Sequence, residues 1–242
     1  MTAALFRCAA IVTDIEGTTG SIAFVRDVLF PYAQEHLADF IARRRADPEI
    51  ARSLHEAAIA ASEPQASETR IVGLLRAWMD EDRKVTPLKT LQGIIWAEGY
   101  ARGVLQGHVY TDAAAGLRRW HAAGVALYVY SSGSIAAQKL LFGHSSAGDI
   151  TPLFSGYFDT TIGAKGDVDA YGRIAAAIGV PAPDVLFLSD REAELDAAQL
   201  AGWQVACLAR PADAPSGSVS KYRTFASFDD INIQECRPGL GR

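Results

Sequence analysis

Cysteine is scarce in this sequence. Three cysteines occur among 242 residues, at Cys8, Cys207 and Cys236. They are odd in number and far apart, and no pair has the CxxC spacing, so the sequence indicates neither a disulfide framework nor a zinc site. Such cysteine usage is expected of a protein that works in the reducing cytosol.

Long hydrophobic runs are also missing. No apolar stretch reaches the roughly 20 residues that a membrane-spanning helix needs. The first residues, MTAALFRCAAIVTDIEG, contain one arginine and a short apolar stretch, and no small-residue cleavage site follows them. We therefore expect a cytoplasmic protein without a membrane partner.

Positive charge is in deficit. The sequence has 23 lysines and arginines against 28 aspartates and glutamates, which gives a net charge of −5. A nucleic-acid interface requires an extended basic surface, so the composition predicts no nucleic-acid partner. A small anionic ligand remains compatible with this charge, because a single pocket does not require a basic protein.

Two nucleotide-binding motifs are absent. No GxGxxG follows the first apolar run, and no GxxxxGK[ST] occurs anywhere. The first absence argues against a dinucleotide-binding protein, and the second argues against a P-loop site.

Short β-rich runs are present, and they alternate with stretches of helical periodicity. The runs are residues 8–13, 125–132, 157–163, 185–190 and 204–209. This alternation is typical of βαβ units, and it predicts an α/β fold with a Rossmann-like parallel sheet. The gap between the first two runs is much longer than one crossover requires, so we expect an insertion between them.

The insertion has a helical pattern. Apolar residues recur there at the spacing of one helix face, namely Ile71, Leu74, Leu75, Trp78 and Met79. Similar patterns run through residues 29–41 and 88–105. We therefore predict a Rossmann-like catalytic core from residues 1–19 and 108–242, interrupted by a helical domain at 20–107.

Polar side chains follow four of the predicted strands. In chain order they are Asp14 and Glu16, then Ser131 and Ser132, then Lys165, and finally Asp190 with Glu194 one helical turn later. In open parallel sheets the ligand site lies at the carboxyl ends of the strands, so we expect these residues to converge.

The chemistry of these residues suits phosphoryl transfer. Separated carboxylates favour Mg²⁺, which takes one or two protein carboxylates and bridges to substrate phosphate. Asp14 is the candidate nucleophile, since carboxylates form aspartyl-phosphate intermediates in some ATPases. Ser131 and Ser132, at the start of a helix, suit phosphate oxygens, and Lys165 can stabilise the charge on the transferring group. Lys139 is the rival lysine, but its helical position favours a solvated face.

Four short segments resemble the motifs of the haloacid dehalogenase superfamily. In order they are DIEGTT, YSSGS, GAK and FLSD. Glu16, where most phosphatases of the superfamily carry aspartate, resembles the enolase-phosphatases of the methionine salvage pathway. The resemblance extends through residues 88–110, 130–145 and 186–198 and covers most of 11–210.

This resemblance implies a Mg²⁺-dependent, monomeric enzyme with a helical cap over its site. The enzyme would enolise 2,3-diketo-5-methylthiopentyl 1-phosphate and then remove the phosphate, which gives the acireductone 1,2-dihydroxy-3-keto-5-methylthiopentene. By motif, Asp14 matches the nucleophile and a metal ligand, Glu16 the second acid and a metal ligand, and Asp190 the metal acid. Ser131 and Ser132 match substrate-binding hydroxyls, and Lys165 matches a catalytic and substrate-binding lysine.

Several alternatives stay open at this point. The runner-up function is a general haloacid dehalogenase-type phosphatase acting on another small phosphate ester. Glu194 is either a partner to metal-bound waters or a helix-face acid favoured by the helix dipole. Trp96, Glu98 and Tyr100 are candidates to line the methylthio side of the substrate, and the alternative for Trp96 is that it packs in the core of the helices. Gly20 and Ser21 stand where the family is expected to have Thr-Pro, which predicts a more flexible connection into the cap.

Overall fold

A parallel sheet of six strands organises the first of two compact units. The computed structural model describes residues 4–211, 213 and 220–235. Its strands are β1 Ala4–Cys8, β2 Ala10–Thr13, β3 Ala126–Tyr130, β4 Gly156–Phe158, β5 Val185–Ser189, β6 Gln204–Leu208, β7 Thr224–Phe225 and β8 Ile231–Glu235. The sheet has the order β4-β3-β2-β5-β6-β7, and β1 pairs with β8 in a separate parallel pair. The predicted Rossmann-like parallel sheet is therefore confirmed.

The register of the central strands places their carboxyl ends at one edge. In β2, Thr13 pairs with Val129 of β3 on one side and with Leu188 of β5 on the other. Every residue of β2 and β5 is buried, as expected for parallel strands covered on both faces. Tyr171 and Leu195 belong to the buried cluster that packs against this part of the sheet. The residues that follow β2, β3 and β5 therefore lie side by side at one edge of the sheet.

Two of the predicted strands have different bounds in the structure. The run at 8–13 is broken at Ala9, whose backbone N–H donates to the carbonyl of Asp184 at 2.8 Å, so β1 and β2 belong to different sheets. The run at 157–163 pairs only as far as Phe158. Asp159 then ends the strand by accepting hydrogen bonds from the backbone and hydroxyl of Thr161.

The helices follow the predicted alternation. They are α1 Ile22–Phe24, α2 Phe30–Arg44, α3 Pro48–Ala60, α4 Glu68–Asp80, α5 Thr86–Ala101, α6 Thr111–Ala122, α7 Ile135–Gly143, α8 Val168–Ile178 and α9 Glu192–Leu200. A π-helix spans Val25–Leu29, and 3-10 turns span Thr151–Leu153, Ala182–Asp184 and Phe228–Asp230. None of the described helices is both long and apolar enough to cross a membrane.

The chain packs as two units. One comprises Met1–Ala23 and Gly107–Arg242, and the other comprises Phe24–Gln106. The insertion expected at 20–107 thus starts a few residues before the second unit. Cys236 and most of the turn-rich segment after Pro211 lie outside the described residues.

The helical unit has its own apolar core. Leu37, Phe40, Leu75 and Leu91 are almost completely buried within it. Trp96 donates its indole N–H to the carbonyl of Leu29 at 2.8 Å. Trp96 also packs against the buried core of the helical unit, as expected of a residue that stabilises the unit. In the same unit, Glu98 forms ion pairs with Arg43 and Arg44, and Tyr100 is buried.

The connection into the helical unit begins at Gly20 and Ser21. A Cβ atom on Gly20 would lie 2.7 Å from the carbonyl oxygen of His108, so this close approach requires glycine. The Ser21 backbone N–H donates to His108 Nδ1 at 3.0 Å, and its hydroxyl donates to Asp213 at 2.9 Å. A proline at position 21 would lack that N–H. Two hydrogen bonds therefore hold Ser21, where the family pattern would place a proline ring.

Two glycines of α5 give a matched test of packing in the helical unit. A Cβ atom on Gly93 would meet nothing within 4 Å. Gly93→Ala should therefore raise the free energy of unfolding by roughly 0.5–1 kcal/mol, because alanine favours the helix. A Cβ atom on Gly99 would lie 2.7 Å from Leu105 Cδ1 and 2.8 Å from the Tyr32 ring. Gly99→Ala should lower that free energy by about 1–3 kcal/mol through overpacking.

Chemical denaturation of the two variants measures this difference. Equal effects of the two substitutions would contradict the packing of α5 described above.

Candidate active site

A closed turn follows β2, and we call residues 14–20 the aspartate turn. The Asp14 backbone N–H donates to the carbonyl of Leu188 at 2.9 Å, which ties the turn to β5. The carbonyl of Ile15 accepts three backbone N–H groups from the residues at 18–20, at 3.1, 3.0 and 2.9 Å. The Thr19 hydroxyl donates to the carbonyl of Asp14 at 3.1 Å. These bonds hold Asp14, which is 2% exposed, at the edge of the sheet.

The second loop follows β3, and we call residues 131–134 the serine loop. The Ser131 hydroxyl donates to Oε2 of Glu16 at 3.3 Å and accepts from the backbone N–H of Gly133 at 3.1 Å. Ser132 is half-buried in the same loop. The buried amide of Gln138 donates to the carbonyl of Gly133 at 2.8 Å. The serine loop is thus fixed from α7 and placed beside the aspartate turn.

Lys165 joins two of the acids. Its Nζ atom lies 2.5 Å from Oδ1 of Asp14 and 2.6 Å from Oε2 of Glu194, and its side chain is 10% exposed. Burial alone would lower the pKa of Lys165, but the charges of Asp14 and Glu194 outweigh burial and raise that pKa. The lysine is therefore a stable cation at neutral pH. Lys139, the rival lysine, is exposed and lies over the ring of Tyr157.

Asp190 approaches the aspartate turn from the end of β5. A Cβ atom on Gly17, which has a φ of +71°, would lie 2.5 Å from Oδ2 of Asp190. A glycine is therefore needed at that position of the turn. Burial, followed by the charges of Asp14 and Glu194, raises the pKa of Asp190 to about 7. Glu194 also accepts a hydrogen bond from the Ser189 hydroxyl at 2.8 Å.

Negative charge is in excess at this edge of the sheet. Burial and the charge of Asp14 raise the pKa of Glu16 and of Glu194, although Lys165 acts in the opposite direction. Asp14, Glu16, Asp190 and Glu194 are the acids at this edge, and within the described part of the chain Lys165 forms ion pairs with two of them, Asp14 and Glu194. Oδ1 of Asp190 is buried and accepts no hydrogen bond from the described residues. A divalent cation fits such a site, because it would offset the uncompensated charge.

The side chains available as metal ligands indicate which kind of cation the site could bind. Among the described residues, no group of three His, Cys, Asp or Glu side chains is placed to hold a metal. Mg²⁺ does not require such a group, since it often takes one or two carboxylates and keeps several waters. Asp14 and Asp190 are the oxygen donors that fit it.

Comparisons with known proteins agree with this arrangement. A family model described as haloacid dehalogenase-like hydrolase matches residues 8–202. Enolase-phosphatase E1 of Pseudomonas aeruginosa is 54% identical over 225 residues, which are 93% of this chain and 98% of that protein. Enolase-phosphatase E1 of Pseudomonas fluorescens is 55% identical over 221 residues, which are 91% of this chain and 96% of that protein. This chain belongs to the enolase-phosphatase family.

A solved structure gives the same result for the fold of this enolase-phosphatase. The crystal structure of the UTR4 protein from Saccharomyces cerevisiae matches with a TM-score of 0.79 and 32% identity, over 92% of this chain and 99% of that one. The resemblance inferred from the four motifs is thereby confirmed, as are the haloacid dehalogenase-like fold and the phosphatase class of the enzyme.

The sequence did not reveal several contacts of the enolase-phosphatase site. Glu194 was a candidate partner of metal-bound waters, and in the structure it forms an ion pair with Lys165 and accepts a hydrogen bond from the Ser189 hydroxyl. Gln138 was missed, although the sequence does show a glutamine within the mostly apolar run of α7. Thr19 belongs to the DIEGTT motif, but the sequence did not show that its hydroxyl bonds the carbonyl of Asp14.

Lys165 and Lys139 form a matched pair for a test. Lys165→Met should lower kcat by about 10²–10³-fold, because it removes the charge that lies against Asp14. Lys139→Met should leave kcat within about twofold, since exposed substitutions rarely perturb a site. Steady-state phosphate release by both purified variants measures the contrast. An active Lys165→Met enzyme would contradict the assignment of this lysine to the site.

Proposed function

We propose that this enzyme enolises 2,3-diketo-5-methylthiopentyl 1-phosphate and then hydrolyses the phosphate ester to give 1,2-dihydroxy-3-keto-5-methylthiopentene. Its membership of the enolase-phosphatase family supports the methionine salvage reaction. The observation that carries the chemistry is the buried Asp14 carboxylate held 2.5 Å from Lys165 at the ends of the central strands. We further propose that the enzyme acts as a cytoplasmic monomer on a small-molecule phosphate ester.

Asp14 is the proposed nucleophile. Its carboxylate is buried and fixed through the hydrogen bonds of the aspartate turn, so little reorganisation precedes attack. One carboxylate oxygen would attack phosphorus and displace the substrate alkoxide, which forms an aspartyl-phosphate. Water would then hydrolyse this intermediate and restore the carboxylate. Lys165 contributes positive charge beside the attacking group, which lowers the repulsion between two anions.

Phosphate oxygens are the proposed ligands of the serine loop. Ser131 and Ser132 offer hydroxyl groups, and α7 begins directly after the loop, so its first backbone N–H groups favour an anion. Gln138 keeps the loop in place through the carbonyl of Gly133. Lys165 would contact the same phosphate group from its position beside Asp14.

Mg²⁺ is the proposed cofactor. Asp14 and Asp190 would hold it with their carboxylates, and Glu16 would contribute its backbone carbonyl from the aspartate turn, which leaves the Glu16 side chain available for proton transfer. When bound, Mg²⁺ neutralises charge on the phosphate and on the acids around it. Support comes from the excess of buried carboxylates and from the buried Oδ1 of Asp190.

Glu16 is the proposed acid and base. Burial, reinforced by the charge of Asp14, raises its pKa, which favours a carboxyl group that can carry a proton. The Ser131 hydroxyl donates to its Oε2 atom and thereby orients the side chain. Glu16 would move a proton during enolisation or protonate the leaving oxygen.

Phosphate release from a panel of substrates tests the proposed function. With Mg²⁺ present, the wild-type enzyme should release phosphate from the diketone phosphate and not from simple phosphate esters, and EDTA should abolish release. Asp14→Asn should lower kcat by at least about 10³-fold, because the amide is a poor nucleophile. Equal release from simple esters would instead support the general phosphatase that was the runner-up.

Thermal unfolding tests the cofactor without relying on activity. Saturating Mg²⁺ should raise the melting temperature, since a ligand at 100 times its Kd adds about 2.7 kcal/mol of stability. Asp190→Asn should remove most of this rise. Asp196→Asn is the matched control, because Asp196 pairs with Lys221 on the surface of α9. A rise that survives in Asp190→Asn would contradict the proposed ligand.

A further inference from the structure

Arg210 is a buried cation that lies outside the four motifs and beyond the residues matched by the family model. It comes two residues after β6 and is 3% exposed. Its Nε and Nη2 atoms both donate to the carbonyl oxygen of Thr18, at 2.9 and 2.7 Å. Its Nη1 atom donates to Asp112 at 2.6 Å and to the carbonyl of Ala226 at 3.1 Å. An arginine desolvated to this degree is retained only when its N–H groups are paired.

The surroundings of Arg210 fix its plane. The guanidinium carbon lies 4.6 Å from the ring centre of Tyr110 and 4.9 Å from that of Phe228. Asp112, its ion-pair partner, also accepts from the Ser227 hydroxyl and from the backbone N–H of Phe228. Burial opposes ionisation of Asp112, but these hydrogen bonds, led by that of Arg210, hold its pKa below the usual value. The pair is therefore charged and rigid.

The acceptor of Arg210 belongs to the aspartate turn. Thr18 is fully buried, so water does not solvate its carbonyl oxygen. The turn is held by its own hydrogen bonds, by β5 and by the Tyr110 backbone N–H, which donates to the carbonyl of Thr19 at 2.9 Å. Arg210 adds two charge-assisted bonds to a carbonyl only two residues from Glu16. Loss of these bonds would leave that carbonyl buried and unpaired, which favours a shifted turn.

We propose that Arg210 is a positioning residue for the reaction. It holds the aspartate turn through Thr18 and thereby sets the directions of Asp14 and Glu16 relative to Lys165. It does not touch the substrate. This inference rests on the proposed function, because it concerns how the nucleophile and the proton-carrying acid are aligned.

The geometry requires arginine rather than any cation. A lysine has one compact ammonium group and no planar fork, so it cannot place two N–H groups on Thr18 and a third on Asp112 in one plane. Arg210→Lys keeps the charge beside Asp112 and preserves most of the buried volume. The variant should therefore fold while the aspartate turn is held less well. A displacement of about 1 Å in a catalytic group can cost up to about 10²-fold in rate.

Arg119→Lys is the matched control. Arg119 donates to the carbonyl of Phe228 at 3.0 Å, pairs with Asp229 and lies over the ring of Trp120. Like Arg210, Arg119 contacts the segment at 226–229 and lies over an aromatic ring. Its hydrogen bonds given above do not involve the aspartate turn. Comparison of Arg210→Lys with Arg119→Lys therefore separates effects on the aspartate turn from effects on the segment at 226–229.

The test combines kinetics, melting temperature and amide hydrogen exchange of both variants, with Mg²⁺ and the diketone phosphate. Arg210→Lys should lose at least about tenfold in kcat with KM changed less than about threefold, and the amides at 15–20 should exchange faster. Arg119→Lys should keep wild-type kcat and exchange at 15–20, whatever its melting temperature.

Two results would overturn the inference. One is a folded Arg210→Lys enzyme with wild-type kcat. The other is a loss of kcat that only follows the unfolded fraction, with exchange at 15–20 unchanged. Failure of the proposed function is a different outcome, because the wild-type enzyme and Arg119→Lys would then both be inactive on the diketone phosphate.

Discussion

The site depends on a buried contact in which the ammonium group of Lys165 lies between two carboxylates, that of Asp14 directly after β2 and that of Glu194 in the first turn of α9. Since β2 and β5 are neighbours in the sheet and α9 begins just after β5, both acids reach one cation. Ionised carboxylates are costly to bury without a counter-charge. The lysine offsets part of that cost, and the remaining negative charge around Asp190 is what a divalent cation would neutralise.

A second group of residues makes hydrogen bonds to the backbone of the segments that carry the candidate catalytic groups. Thr19 bonds the carbonyl of Asp14, Gln138 bonds the serine loop, and Arg210 bonds the carbonyl of Thr18. Each is buried and each acts on backbone rather than on a side chain of the site. The turn and the loop lack regular secondary structure, so their conformation has to come from such bonds. Pre-organisation of this kind lowers the reorganisation that precedes attack.

Much of the fold could be predicted from sequence, because buried parallel strands have a strong apolar pattern and their ends share one edge. Asp14, Ser131 and Asp190 were placed by that rule, which needs no tertiary information. The break at Ala9 and the early end of β4 at Phe158 were not predictable, since each depends on a local hydrogen bond. The contact between Arg210 and Thr18 spans 192 residues, so no local pattern could reveal it. Ser21 was expected to loosen its segment, and its bonds to His108 and Asp213 come from residues 87 and 192 positions away.

Rapid acid quench of the wild-type enzyme during the first turnover, followed by mass spectrometry of its peptides, tests the central claim most directly. The account predicts a phosphoryl group on Asp14 that appears no later than free phosphate and is removed by hydroxylamine, as expected of an acyl phosphate. Phosphate released in the first turnover without any labelled peptide, or a label on another residue, would contradict the account.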